Sequence, residues 1–540
     1  MPFLRFLAIF ILLIEGIVAE EGLSQQTILI PMRDGLQLPT DIYLPSKDAK
    51  SLPCILVRVP GDRQGHPWKG YSSLAKAGYV VAIQDTRSAS DPEAKIIPYV
   101  SDGWGVQQDG YDTVEWLAKN PLTNGMIGTA GVSAAGILEL LMAPTAPPAL
   151  KCQHIGFAAS CVYRQVVYCG GQFMKNQVEG WLNAHSHHDS VVQTLRAQSM
   201  YGDFWERTNT TPVAHRVHVP AFIFGGWFDL FLQGTVDSFE ARQNHGGEGA
   251  KGHQKLLIGP WTHYWPDSMK LGDFEIPKIG QTPPFDSSLV HWFNYYLKGE
   301  KDNGVDRIPT VTYYVMGPFD GTPSKGNVWK YANQWPIPTT TDIYYLTADK
   351  KLVKEAVGLQ TDTLSYDSDP ANPVPTIGGN NLFLDSGPKD QRSLENRDDV
   401  LSFTTEPLSE DLEVTGTVTA KLYLSSDCCD NDVVVRLTDV YPDGRSILIS
   451  DGLLRVYSKE VEVAQEEKVS SSPGIIEVSL FPTSMVFAKG HSLRITLSGS
   501  NYPRYEKNLH AKAGEPPAVA HNKLLVGKLN LSQIALPVMP

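Results

Sequence analysis

A chain of 540 residues, 42% hydrophobic and 19% charged, is long enough for about two to four domains and apolar enough to bury a large core. Its formal net charge of −13 excludes a nucleic-acid-binding role, because phosphate recognition needs a clustered basic surface and no Lys/Arg-rich run is present. The 46 glycines and 38 prolines predict many turns and substantial β structure.

The chain opens on MPFLRFLAIFILLIEGIVAEEG. Arg5 is a short positive flank, Phe6 to Ile14 form an apolar stretch, and Ile17-Val18-Ala19 precede a cut near Glu20. These are the parts of a secretory signal peptide over residues 1–19. Glu15 interrupts the run and leaves it short of the ~20 residues a membrane span needs. A mature chain exported to the extracellular space or periplasm is expected. Export permits disulfides among Cys54, Cys152, Cys161, Cys169, Cys428 and Cys429. The cluster at 152–169 suggests a local bridge, with the pairing left open.

Residues 25–45 predict two strands around the Arg33-Asp34-Gly35 turn, and CILVRVP from Cys54 predicts a third. SSLAKAGYVVAIQDTR reads as helix, glycine and a buried strand ending near Asp85. DGYDTVEWLAKNP reads as an amphipathic helix opened by acidic residues, which suit its N-terminus. NGMIGTAGVSAAGILELLMA reads as turn, strand, tight turn and helix. This alternation predicts a parallel sheet covered on both faces. From 145 to 217 the pattern becomes irregular and rich in His, Cys, Tyr and Gln, as in an insertion over the sheet. Strands resume at VPAFIFGGWFD and KLLIGPWTH, and a helix around SSLVHWFNYYLKG precedes the strand PTVTYYVMG. After about 336, short alternating runs punctuated by Pro and Gly predict an all-β two-sheet domain.

Gly131-Val132-Ser133-Ala134-Ala135-Gly136 sits between a predicted strand and a predicted helix, the context of a nucleophile elbow. Small residues at 131 and 135 meet the demand for close backbone packing. The glycine that ordinarily stands two places after the serine falls one place later. Serine attacks only when a base takes its proton. In α/β-hydrolases the chain order is Ser, then Asp or Glu, then His, each just after a strand. AFIFGGWFD delivers Asp229 and KLLIGPWTH delivers His263, in that order and at strand ends where ligands gather. Taken singly, an acidic residue after a strand is usually a cap, and a lone histidine is usually structural. Three correct placements in the correct order outweigh that. His291 falls in a predicted helix and His253 in a polar turn.

The segments AIQDTR (82–87), DGYDTVEWLA (109–118), NGMIGTAGVSAAG (124–136), GGWFD (225–229), IGPWTH (258–263), YDSDPANPVPTIGG (366–379), DVYPDGRS (439–446) and GHSLRITLSGSNYPRYEKN (490–508) together resemble one family. It is the cocaine-esterase and Xaa-Pro dipeptidyl-peptidase group of serine hydrolases, which includes α-amino-acid ester hydrolases and cephalosporin acylases. The resemblance implies an α/β-hydrolase domain with an inserted helical cap and a C-terminal jelly roll. The boundaries implied are 20–144 and 218–335 for the hydrolase domain, 145–217 for the cap and 336–540 for the jelly roll. Ser133, Asp229 and His263 fall on the family triad.

Three departures stand out. Ala134 replaces the usual tyrosine after the serine, although its N–H can still donate into an oxyanion hole. Pro60-Gly61-Asp62 replaces a Pro-Tyr-Asp segment whose tyrosine hydroxyl is the second donor in relatives; three readings stay open, that the Gly61 N–H donates, that another side chain substitutes, or that the enzyme is weak or specialised for a different substrate. The loop after Arg87 reads SASDPEAK where relatives are glycine-rich and acidic. Adjacent histidines in His185-Ser186-His187-His188-Asp189 are poorly placed for a tetrahedral metal site. Asn209 and Asn530 open glycosylation sequons, which matter only in a eukaryotic source.

The expectation is a secreted serine hydrolase of esters, and of amides as a wider option, acting through an acyl-enzyme without a cofactor or metal. Its partner is a small ester or amide substrate, with neither nucleic acid nor, after signal cleavage, membrane; a homodimer is left open. The alternatives are an Xaa-Pro dipeptidyl-peptidase-type exopeptidase, or a catalytically weak binding protein on the same fold.

Overall fold

The structure is a computed structural model that describes residues 23–61, 63, 69–90, 96–185, 189–428, 430–458, 468–469, 474–511, 514–528 and 531–540. The expected signal peptide, Asp62, part of the SASDPEAK loop, residues 186–188, Cys429 and Asn530 lie outside the described residues.

Ten strands form the first sheet: β1 Ser24–Pro31, β2 Gln37–Leu44, β3 Leu52–Val59, β4 Val80–Asp85, β5 Thr123–Val132, β6 Leu150–Gly156, β7 Ala221–Phe228, β8 Gln254–Thr262, β9 Val311–Val315 and β10 Val328–Ala332. Their spatial order is β1-β2-β4-β3-β5-β6-β7-β8-β9-β10. From β4 through β9 neighbouring strands are parallel, while β1, β2 and β10 pair antiparallel at the edges. Parallel strands are roofed on both faces and so read as continuous apolar runs. Every residue of β4 and of β7 is accordingly buried. The roof consists of α1 Lys69–Lys76, α2 Asp109–Lys119, α3 Ala134–Met142, α4 Lys175–Ala184, α5 Asp189–Ala197, α6 Leu232–His245 and α7 Leu289–Leu297, with α4 and α5 in the insertion between β6 and β7.

One strand departs from expectation. Residues 150–156 are not part of the insertion but form β6, paired in parallel with β5 and β7 at the centre of the sheet. The strand LKCQHIG carries polar residues that alternation would place outside. They are buried because each finds a partner. Gln153 Nε2 donates to Thr129 Oγ1 and to Glu139 O. His154 stacks on Phe222 at 5.0 Å and bonds Ser287 O at 3.1 Å. The insertion over the sheet therefore starts after Gly156.

The first sheet ends at Ala332, and the C-terminal strands begin with Thr340–Leu346. This part is all-β, with a nine-stranded and a five-stranded sheet. Burial alternates strictly along Ala520–Val526 and Gln533–Val538, the period of strands with one face on a core. The two parts are joined directly: Met316 N donates to Ser484 O at 2.9 Å, and Val486 N donates to Met316 O at 2.8 Å. The local disulfide expected at 152–169 is absent. Cys54, Cys152, Cys161 and Cys169 are free thiols. Cys152 lies within the buried β6, whereas Cys169 is in a short hairpin paired with Gln172.

Candidate active site

Ser133 stands alone between β5 and α3, with φ 60° and ψ −127°. A left-handed φ is strained for serine and marks a sharp strand-to-helix turn. The small neighbours are required by contact. A Cβ on Gly131 would lie 2.6 Å from Ala135 C and 2.7 Å from Glu139 Oε1. A Cβ on Gly136 would lie 2.9 Å from Ala158 Cβ and 3.0 Å from Gly156 O. The turn is anchored by Ser133 N donating to Gly156 O at 2.9 Å.

Asp229 follows β7 and His263 follows β8, so the two strand ends lie side by side. His263 Nδ1–H donates to Asp229 Oδ1 at 2.6 Å, which leaves Nε2 to accept from Ser133 Oγ at 2.8 Å. Asp229 is fully buried. Its second oxygen accepts from Phe231 N at 3.0 Å. The imidazole is wedged edge-on between Phe157 and Phe231, at 5.8 and 5.7 Å. A nucleophile, a base and an orienting carboxylate are thus in one hydrogen-bonded line, the geometry that serine activation requires. The remaining pair of expected residues, Ala134 and Gly61, have backbone N–H groups without an acceptor among the described residues. His291 lies on α7 and His253 in a turn, and neither bonds to these three side chains.

A cavity of about 50 Å³ opens on Ser133 and Ala134. That holds a few waters, each needing ~10–15 Å³, or a compact organic group. Ile97, Tyr99, Val166, Val178, Trp181 and Phe231 are among its walls, and no described residue lining it is charged. Leu382 from the C-terminal part closes one side. Asn380, two residues earlier, donates to Asp229 O at 2.8 Å and to Trp227 O at 3.1 Å.

Charged pairs gather around the strands β3 and β4 and the loops that follow them. Arg63 N and Nη1 donate to Asp85 at 2.8 and 2.5 Å, and Arg63 Nε lies 3.2 Å from Asp41. This pins the loop that carries Gly61. Arg87 spans Asp109 and Asp34, and Arg58 bonds Asp102 at 2.6 Å. Glu139 is buried on α3 under the elbow, where it accepts from Thr129 Oγ1. Burial pushes its carboxyl well above the usual range. Sequence reasoning noted AIQDTR and DGYDTVEWLA but not these pairings, and it passed over Glu139 and Asn380. The acidic opening of α2 was the one available signal: its Asp109 and Asp112 each hold an arginine, Arg87 and Arg33.

Comparison with known proteins completes the picture. Residues 34–193 and 181–265 match the X-Pro dipeptidyl-peptidase (S15 family), and residues 303–528 match the X-Pro dipeptidyl-peptidase C-terminal non-catalytic domain. Cocaine esterase of Rhodococcus sp. (strain MB1 Bresler) is 28% identical, over 95% of this chain and 98% of that protein. A putative serine esterase of Mycobacterium bovis is 23% identical, over 96% of each. An aminopeptidase from the marine sediment archaeon Thaumarchaeota archaeon superposes with TM-score 0.79 at 24% identity, over 96% of this chain and 97% of that one. An α-amino acid ester hydrolase superposes with TM-score 0.77 at 24% identity, over 97% and 98%. Both superpositions establish the shared fold: an α/β domain followed by an all-β domain.

Proposed function

This chain belongs to the family of hydrolases that spans cocaine esterase and the X-Pro dipeptidyl-peptidases, and from that premise we propose that it is an exported serine esterase for small esters of apolar acids. The observation that carries the reading is the hydrogen-bonded line Asp229–His263–Ser133 at the mouth of an uncharged cavity.

In the proposed reaction His263 Nε2 takes the Ser133 proton as Oγ attacks the ester carbonyl. Asp229 holds the imidazole tautomer and stabilises the cation that forms. The Ala134 N–H, with the Gly61 N–H, receives the developing oxyanion. The imidazolium returns its proton to the leaving alcohol, and water then attacks the acyl-enzyme with His263 again as base. Export is proposed from the first 19 residues and is tested by N-terminal sequencing of protein recovered outside the cell.

An exopeptidase needs an anionic group to hold the substrate's ammonium. The cavity walls offer none among the described residues and favour an apolar acyl group. Turnover of p-nitrophenyl butyrate alongside an Xaa-Pro p-nitroanilide tests this. The ester is expected to be hydrolysed and the anilide left intact; the opposite preference would overturn the esterase reading.

A further inference from the structure

A second cavity, of about 360 Å³, opens between the α/β part and the all-β part. It is within the ~300–1,000 Å³ of small-ligand sites and larger than the ~150 Å³ that holds a benzene. Met174, Leu230, Leu453, Leu480 and Phe481 are buried in its walls. Three polar side chains of the same walls, Gln165, Gln233 and Asp237, bond to one another. Gln165 Oε1 accepts from Ser160 N and Cys161 N at 2.8 Å each, which aims its Nε2–H at Asp237 Oδ2, 2.7 Å away. Gln233, one helical turn before Asp237 on α6, donates Nε2–H to Oδ1 at 2.7 Å.

Both donors are neutral, and no described cation forms an ion pair with Asp237. Its nearest charged neighbours are Glu240, on the next turn of α6, and Arg164. Arg164 is exposed, and its guanidinium lies over the Tyr201 ring at 5.4 Å. Glu477 is a second acidic residue of the walls, exposed on the all-β side. The nearby Cys161 and Cys169 thiols stay neutral, because burial pushes both up. Two carboxyl groups thus face one guanidinium across an apolar chamber. A half-buried carboxylate held only by neutral donors gains most from a cation brought to it.

We infer that this cavity is a binding site for a compact organic ammonium, its cation on Asp237 and its apolar body on Leu230, Leu453 and Phe481. None of the described lining residues is shared with the cavity on Ser133, so this ligand is separate from the ester being cleaved. The two cavities stand back to back. Leu230 lines this one and Phe231 the other, and Gln165 and Val166 divide in the same way within the π-helical turn Tyr163–Val167. A bound amine therefore rests against the turn that presents Asp229.

The test is calorimetric titration of the full mature chain with phenethylamine, and with phenethyl alcohol as its neutral counterpart, at pH 8 and pH 5. At pH 8 the amine is expected to bind at least about tenfold more tightly than the alcohol. Burial places the Asp237 carboxyl at about 6, so at pH 5 only about a tenth of it is ionised and the amine Kd is expected to rise about tenfold. Asp237→Asn is expected to bind amine and alcohol within about threefold of each other at either pH. Failure of the amine to bind, an alcohol bound as tightly, an affinity independent of pH, or an Asp237→Asn chain that keeps the preference would each overturn the inference. The pH series needs no variant, so it decides the matter even if Asp237→Asn folds poorly.

Discussion

At the scale of single residues, the proposed chemistry depends on three side chains that reach one another from three strand ends. Ser133→Ala should lower kcat by ~10⁴-fold or more. Asp229→Asn should cost roughly 10³–10⁴-fold, because an amide cannot hold His263 in the tautomer that presents Nε2 to the serine. KM should change little in either variant; stopped-flow ester hydrolysis checks both. These residues were legible because each follows a buried strand and each is flanked by small or aromatic residues with a packing reason. Gly61 was legible only as an anomaly. The His185 ring, 2.5 Å from where a Cβ at 61 would lie, is brought there by tertiary packing, and no local pattern in a chain announces a contact between a loop and a distant cap.

At the scale of elements, the elbow is the most demanding structure. Gly136→Val places branched carbon against Ala158 Cβ and Gly156 O, which are backbone-fixed. A loss of about 2–4 kcal/mol is expected, read as a fall in the thermal midpoint with loss of fluorophosphonate labelling. Helix α6 carries a pH-dependent element. Asp237 accepts from Gln233 and Gln165, both neutral, and burial pushes its carboxyl up to about 6 from 3.8. The folded state therefore holds a proton that the unfolded chain releases. This stabilising contribution is fully present below pH 3.8 and is lost as pH rises through about 6. Asp237→Asn should raise the melting temperature near pH 8, and the gain should vanish toward about pH 4. A difference independent of pH would refute it. The elements themselves were readable from periodicity, with β6 the exception. Gln153 and His154 break its apolar run, and only their partners across the sheet explain their burial.

At the scale of the whole molecule, the all-β part completes the site rather than decorating it. Asn380 clamps the Asp229 turn, Leu382 walls the cavity, and Lys330–Glu413 and Arg445–Asp320 tie the two parts at 2.7 Å each. Asn380→Ala removes two hydrogen bonds to buried carbonyls, a stability loss of about 1–3 kcal/mol. Chemical denaturation checks it, and kcat should fall with it as Asp229 loosens. The two-part architecture was visible in the change from helical to alternating patterns after 336. The clamp was not, because an asparagine in a polar loop carries no sign of the carbonyls it will meet. The most direct measurement of the central assignment is fluorophosphonate labelling followed by peptide mapping of the intact protein. A single adduct on Ser133, absent in Ser133→Ala together with ester hydrolysis, is the predicted result. An adduct elsewhere, or ester hydrolysis undiminished in Ser133→Ala, would contradict it.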